Sequence, residues 1–98
     1  MKLEEFETSV RQDAQPPAGL SAPLQALWHE RRGEWHAAHK LVRDIETPNE
    51  NWIHAYLHRV AGDEDKAAYW YARASKVRPH LPFESEWRQI VAALLPAA

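Results

Sequence analysis

Apolar residues return every three or four positions through most of this chain, and nowhere do they alternate with polar ones over a useful length. That spacing marks helices buried along one face. The expected fold is therefore all-α, without a sheet. Leu3, Phe6 and Val10 share a face before Pro16, Pro17 and Gly19 break the pattern. Residues 1–20 read as an N-terminal arm, either a loosely docked tail or a short helix. A helix is expected from Ser21, an N-cap with Pro23 in the first turn, carrying Leu24, Leu27 and Trp28 and stopped by Gly33. Trp35, Ala38, Val42 and Ile45 make the face of a second. Thr47-Pro48-Asn49-Glu50 supplies a cap, a proline at the first helical position and a glutamate three residues on, which predicts a third helix from Pro48 to about Ala61, ended by Gly62. Asp63 caps a fourth, with Glu64 and Asp65 in its first turn and Arg73 and Lys76 in its last, matching the helix dipole. Pro79 is its expected stop. A fifth helix over residues 82–95 buries Phe83, Trp87, Ile90, Val91 and Leu94.

Two stretches have the same plan. Gly33-Glu34-Trp35-His36-Ala37-Ala38 and Gly62-Asp63-Glu64-Asp65-Lys66-Ala67 each give a glycine stop, an acidic cap and then alanine. Val42 or Tyr71 follows the alanine four residues later, and Ile45 or Ala74 three later again. Small residues at such positions let two helices approach closely. With links of two to five residues, neighbouring helices should pack as antiparallel hairpins. The second unit, with Ala67, Tyr71 and Pro79, resembles a tetratricopeptide-type repeat. Its run from Asp63 to Ala74, with Lys66-Ala67 and Trp70-Tyr71, is most similar to the Sel-type variant. The resemblance covers roughly residues 21–79. It implies two stacked antiparallel hairpins plus a C-terminal capping helix, in a single helical-repeat domain over residues 21–95. It also implies a binding scaffold more than an activity. The segment Trp52-Ile53-His54-Ala55-Tyr56-Leu57-His58-Arg59 resembles a group of small uncharacterised microbial proteins that carry Trp-x-His-Ala-Tyr-Leu-His-Arg. Ala61 stands here where that group has an acidic residue before the glycine.

Composition narrows the function classes. The 98 residues suit one domain, and five tryptophans provide large core pieces. So small a fold gains from self-association, which makes a homodimer a natural partner. The formal charge of −2, with acids and bases interspersed, argues against nucleic acid. The absence of cysteine excludes disulfides, thiol catalysis and thiolate zinc sites. No apolar run approaches the ~20 residues of a membrane span. The acidic start Met1-Lys2-Leu3-Glu4-Glu5 has no signal core. A cytoplasmic protein is expected. Without a glycine-rich phosphate loop, a nucleophile elbow or a paired-carboxylate motif, no enzyme is expected either.

The chemistry that remains lies in histidine, arginine and aromatic residues. His54 and His58 are one turn apart and share a helix face; His39, on the preceding helix, projects toward the same seam. Three imidazoles and a water would suit zinc or a similar divalent metal as cofactor. The spacing is similar to a zincin helix, but Ala55 occupies the place of the catalytic glutamate, which disfavours a metalloprotease. In the competing structural reading the same histidines are buried and bonded to carbonyls, Asn51 or tyrosine hydroxyls. Ile53, Leu57 and Val60 form a face nearly opposite His54 and His58. This helix is then either buried on two sides or lines a groove with its histidines. Trp52, Tyr56 and Arg59 recur at four and three residues, and Trp, Tyr and Arg dominate interfaces. The leading expectation is a non-enzymatic interaction module without cofactor. It would hold a protein or peptide in a groove of Trp52, His54, Tyr56, His58 and Arg59. The alternative is a small-ligand or metal-binding protein using His39, His54 and His58. Tyr69 and Trp70 cannot both face inward on one helix, so one should cover the fifth helix or a second subunit.

Overall fold

The apolar stripes do become helices. A computed structural model of the chain describes residues 1–96. Among the described residues there are six helices and no strand: α1 (Leu3–Gln12), α2 (Ala22–Arg31), α3 (Trp35–Val42), α4 (Pro48–Val60), α5 (Glu64–Arg73) and α6 (Phe83–Leu94). The start signals act largely as read. The Ser21 side chain accepts from the Leu24 amide at 3.5 Å, and the Asp63 carboxylate accepts from the Lys66 amide at 3.2 Å. The Thr47 hydroxyl instead bonds the Glu50 carboxylate and caps no backbone amide.

The ends show one repeated device. At Gly33 and Gly62 the backbone turns left-handed, with φ of 81° and 83°. At each, the glycine amide and the amide after it bond carbonyls of the last turn, Glu30 and His29 in one case and Arg59 and His58 in the other. The same pair of bonds closes α5 at Ser75, whose φ is 57°: Ser75 reaches the Ala72 carbonyl and Lys76 the Tyr71 carbonyl. Helix α5 therefore stops well before Pro79, and Lys76 lies beyond its last turn. Helix α3 also ends early, at Val42. Ile45 sits in the following turn and is 39% exposed, outside the face it was expected to extend.

Helix α4 packs most extensively on α5, and α2 on α3; α3 and α2 also meet α4, and α1 and α6 pack on α2 and on each other. Alanines lie where helices come closest, with Ala38, Ala55 and Ala67 fully buried. Phe6, Leu27, Trp28, Ile53, Tyr56, Leu57, Trp87 and Ile90 form one core. Tryptophans join their elements through the indole N–H as well as by bulk. Trp28 donates to the Ser9 hydroxyl, Trp87 to the Leu27 carbonyl and Trp35 to the Leu57 carbonyl. The N-terminal segment is no loose arm. It forms α1, and its Phe6 is fully buried with its ring 5.7 Å from that of Trp87. No helix among the described residues is long and apolar enough to cross a membrane.

Candidate functional site

Helix α4 is buried on nearly every side, from Asn51 and Ile53 through Arg59, and its two polar faces have different fates. One face turns to α6. Tyr56 is 1% exposed, and its hydroxyl donates to Glu30 Oε1 at 2.8 Å. Burial raises the pKa of both partners. Arg59 is 6% exposed and donates to Glu86 Oε1 at 2.7 Å and to the Leu81 carbonyl, with its guanidinium over the Phe83 ring. Glu86 takes a second bond from the Tyr71 hydroxyl at 2.5 Å. The carboxylate that Arg59 holds is thus supplied by α6 of the same chain. Tyr56 and Arg59 belong to the core, not to an open groove. Trp52 stays partly exposed beneath Lys76, whose ammonium lies 4.2 Å from the indole centroid.

The other face of α4 meets α3 and α5, and here the histidines converge. One ring nitrogen from each of His39, His54 and His58 lies within 4.8 Å of the others. His39 Nε2 and His54 Nε2 are 3.0 Å apart. Both rings are held flat against indoles. Trp35 stacks on His39 with centroids 4.8 Å apart, and Trp70 stacks on His54 at 4.0 Å. His58 stacks on His54 at 4.8 Å and presents an edge to Trp35. The two indoles are walls that sequence reasoning did not assign to this site. The signal for Trp70 was the crowding of Tyr69 and Trp70 on one helix. Tyr69 is exposed, while Trp70 covers His54 and not α6.

Burial first, and neighbouring positive groups second, favour the neutral form of all three rings. Burial lowers the His54 pKa to about 4, helped by the nearby imidazoles of His58 and His39 and by Lys66. His39 is lowered by burial and then by Arg43 and His36; His58 is lowered by burial and then by His39 and Lys66, with Asp63 opposing. Of the two readings of buried histidines, bonding to carbonyls, Asn51 or tyrosine is not what the geometry gives. Among the described residues the triad's one side-chain hydrogen bond runs between His39 and His54. All three tyrosine hydroxyls are engaged elsewhere, Tyr56 with Glu30, Tyr71 with Glu86 and Tyr69 with Arg73. Asn51, one turn before His54 and 4% exposed, has an Oδ1 without a partner. The other histidines stay apart: His29 meets Glu34 at 2.8 Å, and His36 and His80 are exposed.

Three neutral imidazoles with nitrogens turned to one point make a donor set for a borderline-soft dication. Four-coordinate zinc, with Zn–N of ~2.0–2.1 Å, places ligand nitrogens about 3.3 Å apart. The His39 and His54 nitrogens, 3.0 Å apart, would open by a few tenths of an ångström to take the ion, and the His58 nitrogen would close in from within 4.8 Å. No family model, no curated protein and no solved structure matches this chain.

Proposed function

We propose that the protein binds a transition-metal dication of the zinc type through His39, His54 and His58. The observation that carries this reading is the gathering of three ring nitrogens within 4.8 Å, with their one mutual hydrogen bond in place of bonds to the fold. His39 and His54 bond only each other, and His58 makes no side-chain hydrogen bond among the described residues, so nitrogens of all three are available to one common ligand. The donor set contains neither thiolate nor carboxylate. That favours zinc, copper or nickel over magnesium or calcium, which take oxygen ligands. Lys66 and Arg43 add positive potential around the rings, so the fourth position suits an anionic ligand or hydroxide. The two stacked indoles would fix the ring planes, as outer-shell groups do in metal sites. The reading assigns binding and no reaction, and it makes the two repeat-like helix pairs a frame for a small site. Of the interaction-module alternative, only Trp52 remains partly open on α4 outside the histidine face.

The test uses protein prepared without a histidine tag. Titration with zinc, and separately with copper, should saturate at one equivalent and change tryptophan emission, because Trp35 and Trp70 touch the ligands. At one hundred times Kd, binding adds ~2.7 kcal/mol, so Tm should rise by roughly ten degrees or more. His39→Ala, at the least buried of the three positions, should keep the fold and lose the response. The absence of any shift with either metal, or an unchanged response in His39→Ala, would overturn the reading.

A further inference from the structure

A concavity lies where α1, the C-terminal end of α2 and α6 meet. It has a volume of about 230 Å³ and is lined by Glu7, Val10, Arg11, Arg31, Arg32 and Trp87. Its floor is apolar, since Val10 and Trp87 are core residues 7% and 1% exposed. Its walls carry three guanidiniums and one carboxylate. A space of roughly 150 Å³ already holds a benzene ring, so this one has room for a ring and a charged substituent.

Two of the guanidiniums are fixed in place without being used up. Arg32 donates through Nη1 to the carbonyls of Val10, at 3.0 Å, and Asp13, at 2.7 Å, and lies 4.5 Å from the Trp28 ring centroid. Those acceptors are neutral. The nearest carboxylate is Glu34, 3.9 Å from Nε and itself 2.8 Å from His29. Arg31 is held by Glu84 at 2.6 Å through Nη2 and sits over Trp87 at 5.6 Å. Each guanidinium has five N–H donors, so both keep donors in reserve. Arg11 has no carboxylate within 4.0 Å among the described residues, and its one side-chain bond is to the Thr8 hydroxyl at 3.4 Å. Glu7, the acid in the lining, is shared with Arg88 at 3.7 Å. The cavity therefore combines an apolar floor, oriented guanidiniums and uncompensated positive charge. Arginine forks recognise planar carboxylates by paired, charge-assisted bonds, and fixing them beforehand lowers the ordering cost of binding.

We propose that this cavity binds a small organic carboxylate, with the acid on the guanidiniums of Arg11, Arg31 and Arg32 and an apolar body over Val10 and Trp87. The site shares no residue with the histidine triad, so the two readings stand or fall separately.

Benzoate serves as the probe, with benzylammonium and inorganic phosphate as comparisons, each titrated into the intact chain and followed by amide NMR shifts. Benzoate should saturate, with the largest shifts at Val10, Arg11 and Arg32. Benzylammonium should leave those amides unmoved, and phosphate should bind more weakly because it leaves the apolar floor uncovered. Arg11 ties no element to another, and Arg11→Gln should keep the fold. Loss of one charged bond predicts roughly tenfold weaker benzoate binding in that variant. Shifts that scatter over the surface without saturating would overturn the proposal. So would equal binding of benzylammonium, or unchanged affinity in both Arg11→Gln and Arg31→Gln. Phosphate binding as tight as benzoate would remove the organic acid as the ligand class.

Discussion

Arg59 shows how one side chain can look like a recognition residue and act as a strut. An arginine one turn from a tyrosine and two from a tryptophan is a common interface pattern. Here its guanidinium and Glu86 neutralise each other at 6% and 2% exposure, and Tyr71 completes the network. The pair need not add net stability, but its halves depend on one another. Arg59→Ala should cost ~3–5 kcal/mol by leaving Glu86 charged and unpaired. Arg59→Met combined with Glu86→Gln, which removes both charges and leaves an acceptor for the Tyr71 hydroxyl, should recover much of that loss. Urea midpoints of the two variants decide the matter. A single-variant cost under ~1 kcal/mol would place Arg59 among exposed ion pairs, contrary to its burial. Sequence could not reveal this, because Glu86 lies 27 positions away on another helix.

At the scale of helices, most starts were readable and two stops were not. Starts depend on local chemistry that the chain displays, such as the serine before Pro23 or the aspartate after Gly62. Stops depend on one residue entering the left-handed region, and glycine advertises that only where it is used. Gly33 and Gly62 were visible; Ser75, which closes α5 by the same pair of bonds, was not. A side chain held left-handed costs ~1–2 kcal/mol, partly offset by the unfolded-state entropy that glycine adds. Ser75→Gly should therefore stabilise the protein by up to ~1 kcal/mol. Gly62→Ala should destabilise it by a similar amount through backbone strain alone, because an added Cβ there meets nothing within 4 Å. Thermal melts of both variants test the pair; a loss of stability in Ser75→Gly would show that its hydroxyl, not its backbone, matters. The early end of α3 has the same lesson. Ile45 fitted the helical spacing, but the chain had already turned after Val42.

For the whole molecule, the triad couples folding to pH. The unfolded chain protonates its histidines near 6.5, whereas His54 in the fold resists until about 4, and His39 and His58 are lowered too. As pH falls below 6.5 the unfolded state binds protons first, so stability of the metal-free protein should decline between about 6.5 and 4. Above 6.5 these rings contribute no slope. Glu30, with its pKa raised by burial, works in the opposite sense. The slope is therefore read against His54→Gln, which should flatten it. A denaturant midpoint that stays constant through that window in the unsubstituted protein would mean that the rings are charged inside the fold. The sequence by itself determined the helical class, most helix starts and the shared face of His54 and His58, because each follows from spacing and capping within a few residues. Tertiary structure alone decided that Trp35 would stack on His39 and Trp70 on His54 at the seam where His39 was expected, that α1 would enter the core and that Arg59 would turn inward. Those outcomes depend on which helix packs against which, and that is fixed by the summed fit of distant surfaces.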